Sequence, residues 1–414
     1  DCDKAQPFST YEKVQCHVSQ KGYVPDDGEW SYPVAFIYPV PLEATNKIRP
    51  KVLLSGYNAR PGVFCTGLDF SNRYFMTIKP CAGHYPDSAL HAVDGVSVLG
   101  WWGWFKGTSN SNRIWLSLNK AKEIAGDALD TDAGVMLSGS SYGGTGSILQ
   151  SMLLRYSKPF LLDGTEIDWG NNIAVVNANV PMTLIAKTDY PKNKSIQLAW
   201  EGQNIDQADF RVAAREGLVQ DIYYRVNGSP ADTSVTFDAE FFDLCDQYRI
   251  ACFGTWHAAG HNIGEAGVDL PFGSLYNGPQ QDVRRDKMLP VFTNSTANRV
   301  WQSEGVPYSR GWYNLGLSWN SLYLFTDTKK QVVVPLRYKR HTDIGKGVPD
   351  QPESATFDLT IRRVVNFAPK VGDVLTWTID DTQGGTVIVD VDGEITVKGI
   401  TLESADRYGG LRIQ

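Results

Sequence analysis

The sequence predicts an α/β fold with a mostly parallel sheet in its first part and an all-β region behind it. Three observations carry that expectation. Apolar strand-like runs alternate with helical segments through the first 270 or so residues, the order expected of a parallel sheet. A glycine-rich turn at 139–146 joins an apolar run to a helical one. Beyond about residue 275 the helical pattern stops and short β-branched runs take over.

The elements follow in order. Residues 32–40 read as a strand, Val52–Ser55 as a buried strand ending at Gly56, and Tyr74–Lys79 as a third, stopped by Pro80. Ile114–Ala125 has apolar residues at helical spacing and ends at Gly126. Gly134–Ser138 is a short apolar run that enters the Gly/Ser-rich turn, and helical character resumes over Ser147–Tyr156. Ile222–Val226 is a further strand, followed by a helix over Ala239–Tyr248 and an apolar strand from Ile250. In the last third, Leu322–Thr326, Val332–Tyr338, Ala355–Val364, Val374–Ile379, Thr386–Val391 and Ile395–Leu402 read as strands. Gly384-Gly385 and Asp392-Gly393 read as turns between them. The expected division is a catalytic domain at 1–275 and a β-sandwich-like accessory domain at 276–414.

Composition narrows the function. A net charge of −7, with no long Lys/Arg cluster, argues against nucleic acid as a partner, because phosphates require a basic face. No apolar run approaches the ~20 residues that span a bilayer. The chain opens on Asp1-Cys2-Asp3-Lys4, a start that suits a mature protein whose signal peptide has been removed. The six cysteines fall into close pairs, Cys2 with Cys16, Cys65 with Cys81 and Cys245 with Cys252. Six cysteines allow 15 connectivities; neighbour pairing is the simplest, and an even count fits an oxidising, secreted or periplasmic setting. Buried thiols of a cytosolic enzyme are the alternative. No CxxC or HxxC spacing points to a metal, and no cofactor is expected. Asn-x-Ser/Thr sequences stand at Asn193, Asn227 and Asn294.

The chemistry concentrates at Gly139-Ser140-Ser141-Tyr142-Gly143, a G-x-S-x-G sequence. A serine in a tight strand-to-helix turn needs small residues at both ends, because side chains there would collide. Such a turn exposes Oγ and aims the next backbone N–H at a developing oxyanion. A phosphate-binding loop is the competing reading of the glycines, and it fails for want of the Lys in G-x-x-x-x-G-K-[ST].

Two later stretches complete the pattern. Ile222–Val226 runs into a Gly turn and then Asp232-Thr233-Ser234-Val235, and the strand from Ile250 breaks into Trp256-His257-Ala258-Ala259-Gly260-His261. With Gly139–Gly143, these resemble the nucleophile elbow, acid loop and histidine loop of the α/β-hydrolase superfamily over roughly residues 30–270. The resemblance implies the chain order Ser, acid, His, with Ser141 as nucleophile, Asp232 as acid and His261 as base. The 29 residues from Asp232 to His261 leave room for one helix and one strand. His257 is the runner-up base and Asp206 the competing acid; His341 falls in the β-region, where it reads as a surface residue. An HxxxH zinc pair at 257 and 261 is disfavoured, because the Glu that a zincin needs is missing.

The resemblance also implies two oxyanion donors, the backbone N–H of Tyr142 and that of Tyr57 in Ser55-Gly56-Tyr57-Asn58. Ser55 stands there in place of the His of many esterases. The aromatic segment at 84–115 contains Trp101, Trp102 and Trp104; with Trp256 these are candidates to stack on sugar or aryl groups. A Trp-rich loop packed over the core is the plain alternative. The expected activity is hydrolysis of small or polymeric carboxylic esters through an acyl-enzyme. A serine peptidase of the same fold, and a binding protein on an inactive hydrolase scaffold, are the alternatives.

Overall fold

A computed structural model of the chain describes residues 2–8, 10–19, 31–54, 74–80, 92–93, 96–97, 104–105, 108–140, 142–156, 167–179, 209–228, 239–256, 283–299, 311–319, 326–340, 351–405 and 407–414. They fall into two compact units, 1–219 and 220–414.

In the first unit the strands are β1 (Gln6–Phe8), β2 (Tyr11–Ser19), β3 (Ser31–Pro39), β4 (Arg49–Leu54) and β5 (Phe75–Pro80). Two small hairpins follow, β6 (Ala92–Val93) with β7 (Val96–Ser97) and β8 (Trp104–Phe105) with β9 (Thr108–Ser109). Helix α1 (Asn110–Ala125), β10 (Val135–Ser140), helix α2 (Tyr142–Tyr156) and β11 (Ile173–Asn179) complete the unit. The sheet order is β1-β2-β3-β5-β4-β10-β11. The strands from β1 through β3 to β5 pair antiparallel, while β5, β4, β10 and β11 run parallel.

Strand β10 lies between β4 and β11. Val135–Gly139 are buried, as expected of a parallel strand covered on both faces, and Ser140 emerges at its carboxyl end. Helix α1 buries Ile114, Trp115, Leu118, Ala121 and Ala125, an apolar stripe at helical spacing. It stops at Gly126, which takes a left-handed φ of 53°, and Lys122 donates to the Gly126 carbonyl at 2.8 Å. The disulfide Cys2–Cys16 ties the N-terminal segment to β2.

The second unit opens with β12 (Tyr223–Gly228), a helix at Ala239–Gln247 and β13 (Ala251–Trp256), with β12 and β13 parallel. Its remaining strands are β14 (Leu289–Thr293), β15 (Gly311–Tyr313), β16 (Leu317–Trp319), β17 (Thr326–Asp327), β18 (Val332–Tyr338) and β19 (Ser354–Arg362). They continue with β20 (Val374–Ile379), β21 (Gln383–Ile388), β22 (Ile395–Glu403) and β23 (Gly409–Ile413). Strand β15 adds antiparallel to β13. The others form two antiparallel sheets, β14-β19-β22 and β16-β18-β23-β20-β21, with β17 paired to β18.

Aromatic rings join these sheets. Trp319 of β16 meets Phe292 of β14 at 5.9 Å and Tyr223 of β12 at 5.7 Å, and Phe292 meets Phe357 of β19 at 5.3 Å. Asn314, just past β15, fixes three strands at once. Its side-chain amide donates to the Cys252 carbonyl of β13 at 3.0 Å and to the Phe292 carbonyl of β14 at 2.9 Å. Its backbone φ is 57°, a left-handed conformation that Asn tolerates better than most residues. The helix Ala239–Gln247 is held to β13 by the disulfide Cys245–Cys252, and Phe242 stacks on Tyr313 at 4.8 Å.

A charged cluster closes the carboxyl end of that helix. Arg249 reaches Asp390 at 2.6 Å and Glu394 at 2.9 Å, Arg362 pairs with Glu394, and Arg362 Nε donates to the Arg249 carbonyl at 3.2 Å. Burial alone would raise the Asp390 carboxyl; hydrogen bonds from Arg249 and from the Glu394 backbone outweigh it and hold the group below the usual range. Asp246 goes the other way. Burial raises it, against hydrogen bonds from the Tyr313 hydroxyl and the Asn294 N–H.

One expected turn is displaced. Gly384-Gly385 lie within β21, opposite Thr378 and Trp377. The turn is made instead by Asp380 and Asp381, both left-handed at φ 43° and 55°. A Cβ on Gly385 would lie 3.1 Å from the Trp377 indole nitrogen, so the ring packs closely over this position. The Gly in Asp392-Gly393 does turn the chain, at φ 77°.

Two outcomes test these contacts. Asn314→Ala loses two buried hydrogen bonds, leaves carbonyls unsatisfied and strains the left-handed backbone, so unfolding in urea should show a loss of about 2–4 kcal/mol; Asn314→Gly loses the same bonds without the strain and should lose less. For Asp390, a depressed folded pKa gives stability that is present above the unfolded value, ~3.9, and disappears as pH falls through the folded value. Wild type should therefore exceed Asp390→Asn in urea midpoint at neutral pH, and the gap should narrow as pH falls below the unfolded value, ~3.9.

Candidate active site

The elbow is built by a backbone approach that only glycine permits. Gly139 is the fifth residue of β10, and the chain passes through Ser140 and Ser141 into Tyr142, the first residue of α2. A Cβ on Gly139 would lie 2.1 Å from the Gly143 carbonyl oxygen and 2.9 Å from the Gly144 nitrogen. These distances are far inside van der Waals contact, so the strand end and the first turn of the helix are stacked with no side chain between them. The sequence expectation placed helical character from Ser147; the helix begins five residues earlier, with three glycines in its first five positions. Tertiary packing against β10 and β11 overrides their poor helix propensity.

Starting the helix at Tyr142 has a chemical consequence. The first amides of a helix have no intrahelical acceptor, and the helix dipole makes them favourable to negative charge. The backbone N–H of Tyr142 is one of these, directly after Ser141. Lower in the strand, Asn177 of β11 donates to the Ser138 hydroxyl of β10 at 3.2 Å, across the register pair Ser138–Asn177. Neither residue drew notice in the sequence; the only signal was a polar side chain in an otherwise apolar strand.

In the second unit the strands that precede Asp232 and His261 in the sequence are parallel neighbours and end at one level. Gly228, the last residue of β12, is in register with Trp256, the last of β13. Asp232 follows four residues beyond the first strand end and His261 five beyond the second. One residue below the ends, Thr255 donates to the Asn227 side-chain oxygen at 2.9 Å, both groups buried. Gly254 is also fixed by its surroundings, since a Cβ there would meet the Phe242 ring at 2.4 Å.

Ser141, Asp232, His261, His257, Asp206, Tyr57, Trp101 and Trp102 lie outside the described residues, as does the pair Cys65 and Cys81. Tyr142 opens α2, Trp104 opens β8 and Trp256 ends β13, and their side chains are outside the description. Among the described residues there is no group of three or more His, Cys, Asp or Glu arranged to hold a metal. No described helix is long and apolar enough to cross a membrane.

No protein-family model and no curated protein matches the chain. Solved structures with some likeness include esterase B from Lactobacillus rhamnosis inhibited by a tributyrin phosphonate (13% identity, TM-score 0.42, 67% of this chain and 87% of that one). A ferulic acid esterase aligns at 14% identity and TM-score 0.42, over 67% of this chain and 98% of its own. Brefeldin A esterase, described as a bacterial homologue of human hormone-sensitive lipase, aligns at 12% and 0.41, over 68% and 79%. At these identities and scores the likenesses are distant, and the fold stands on the strands themselves.

Gly139→Ala tests the elbow. Separating strand from helix to admit the methyl should cost ~3 kcal/mol or more, read as a lower urea midpoint, where an unchanged midpoint would refute the close approach. The parallel strands, the glycine-locked turn from β10 into α2 and the added antiparallel sheets give the chain the α/β-hydrolase fold with a β-rich C-terminal region.

Proposed function

We propose that the chain is a secreted or periplasmic serine esterase. The observation that carries this reading is the glycine-locked elbow, which would present Ser141 between the buried end of β10 and the free amides of α2. The level exit of the acid and histidine loops from β12 and β13 supports it. The disulfides Cys2–Cys16 and Cys245–Cys252 support an oxidising compartment.

In the proposed mechanism Ser141 Oγ attacks the ester carbonyl carbon while His261 takes its proton. Asp232 holds the imidazole in the productive tautomer and stabilises its cation. The carbonyl oxygen, now an oxyanion, accepts from the backbone N–H groups of Tyr142 and Tyr57. Collapse breaks the bond to the alkoxy group, which leaves with the proton from His261. Water, activated by the same histidine, then releases the acid and restores Ser141. Trp101, Trp102, Trp104 and Trp256 would supply a stacking surface for polymeric or carbohydrate-linked esters. On this reading residues 1–275 carry the chemistry and residues 276–414 brace the histidine strand.

The test is an ester panel, including p-nitrophenyl esters, run on wild type and Ser141→Ala. Wild type should turn over esters and label with a fluorophosphonate; the variant should lose about 10⁴-fold or more in kcat and fail to label. Retained turnover in Ser141→Ala overturns the mechanism, and a preference for peptide anilides would move the assignment to a peptidase.

A further inference from the structure

The fold separates two of the three Asn-x-Ser/Thr sequences from one another. Asn227 of β12 is buried, and its side-chain oxygen accepts from Thr255 in the next strand. A sugar on that nitrogen would have to sit inside a packed strand pair. Asn294 is different. It follows the last residue of β14, is exposed, and takes a left-handed φ of 54°.

The contacts of Asn294 leave room for a substituent. Its backbone N–H donates to Asp246 at 2.7 Å, and its side-chain amide donates once, to Asp358 at 2.9 Å. A primary amide has two N–H bonds. Replacing one by a sugar keeps the other for Asp358, so the fold can carry the modification with this contact intact. Thr296, which completes the tripeptide, is also exposed, and its hydroxyl accepts from the Thr356 N–H at 2.9 Å. The disulfides fit an oxidising compartment, and in a secretory pathway such a compartment is where these sugars are attached.

We propose that Asn294 is an N-glycan acceptor, and that Asn227 is not, when the chain passes through a secretory pathway that glycosylates asparagine. The donor class is an oligosaccharide linked through a diphosphate to a polyprenyl lipid. The Asn294 Nδ2 forms a bond to the anomeric carbon as the bond from that carbon to the diphosphate oxygen breaks. The lipid diphosphate leaves with the electron pair, and the displaced amide proton passes to a base of the transferase. Transfer precedes folding, so Asn227 is chemically available too; a chain modified there cannot bury the residue and should not reach the medium folded. The proposal is independent of ester hydrolysis.

The full chain secreted from yeast, purified with its disulfides intact and mapped by glycopeptide mass spectrometry, tests this. The expected result is a peptide predominantly glycosylated at Asn294 and an unmodified Asn227 peptide. Thr296→Ser should retain the Asn294 glycan and Thr296→Ala should lose it, which assigns the site without touching the asparagine or its contacts to Asp246 and Asp358. An unmodified Asn294 in secreted wild type, or a glycan on Asn227 in the same material, overturns the proposal.

Discussion

The contact between Gly139 and the backbone of Gly143 and Gly144 is the constraint on which the first unit turns. With no Cβ at Gly139, strand β10 can end directly beneath the first turn of α2. It also lets the helix begin at Tyr142, two residues after the strand ends, which places the Tyr142 N–H among the first amides of the helix, those with no intrahelical acceptor. The cost is a helix opened by residues of poor propensity. Burial of Ile148, Leu149, Met152, Leu153 and Leu154 offsets it. A close approach that depends on glycine thus rests on an ordinary apolar helix packed against an ordinary parallel sheet.

In the second unit the corresponding burden falls on β13. The strand is held from one side by the helix Ala239–Gln247, through Cys245–Cys252 and the Phe242 ring over Gly254. From the other it is held by β15 and the Asn314 amide. Phe242 and Tyr313 stack on each other, so the two supports are one packed assembly. The strand is therefore held by residues some sixty positions later in the chain.

What the sequence made legible was local. Ser141, its flanking glycines and the apolar runs around them are a contiguous signal, and β18 and β20 were readable to the residue because their β-branched runs end at polar turns. The hairpin between β20 and β21 misled because Gly-Gly is also the turn signal. Here the pair makes room for Trp377, a requirement set by the opposite strand, while two aspartates accept the left-handed turn. Strands β1, β2, β11, β14, β15, β16 and β23 went unread; most are short, β2 is interrupted by charged and polar residues, and β11, though apolar, has no flanking turn or motif that marks it. Asn314 and the Arg249–Glu394–Arg362 cluster had no sequence signal at all, because their meaning comes from partners distant in the chain. For the candidate site, the elbow and the two strand exits were readable. The Ser138–Asn177 and Asn227–Thr255 pairs beneath them were not, since each looks like a stray polar residue until the register is known.

The Phe242–Tyr313 stack also bears on how such a chain can change over generations. A crossover that exchanged the β-rich C-terminus for another would bring in a new residue at 313 against an old ring at 242, and a new side chain where Asn314 had gripped two carbonyls. Hybrid offspring would inherit β13 with a mismatched neighbour. By this packing the C-terminal strands can be exchanged only together with β13, whereas the β20–β21 hairpin, where Val374 and Ile388 are exposed, carries no such constraint.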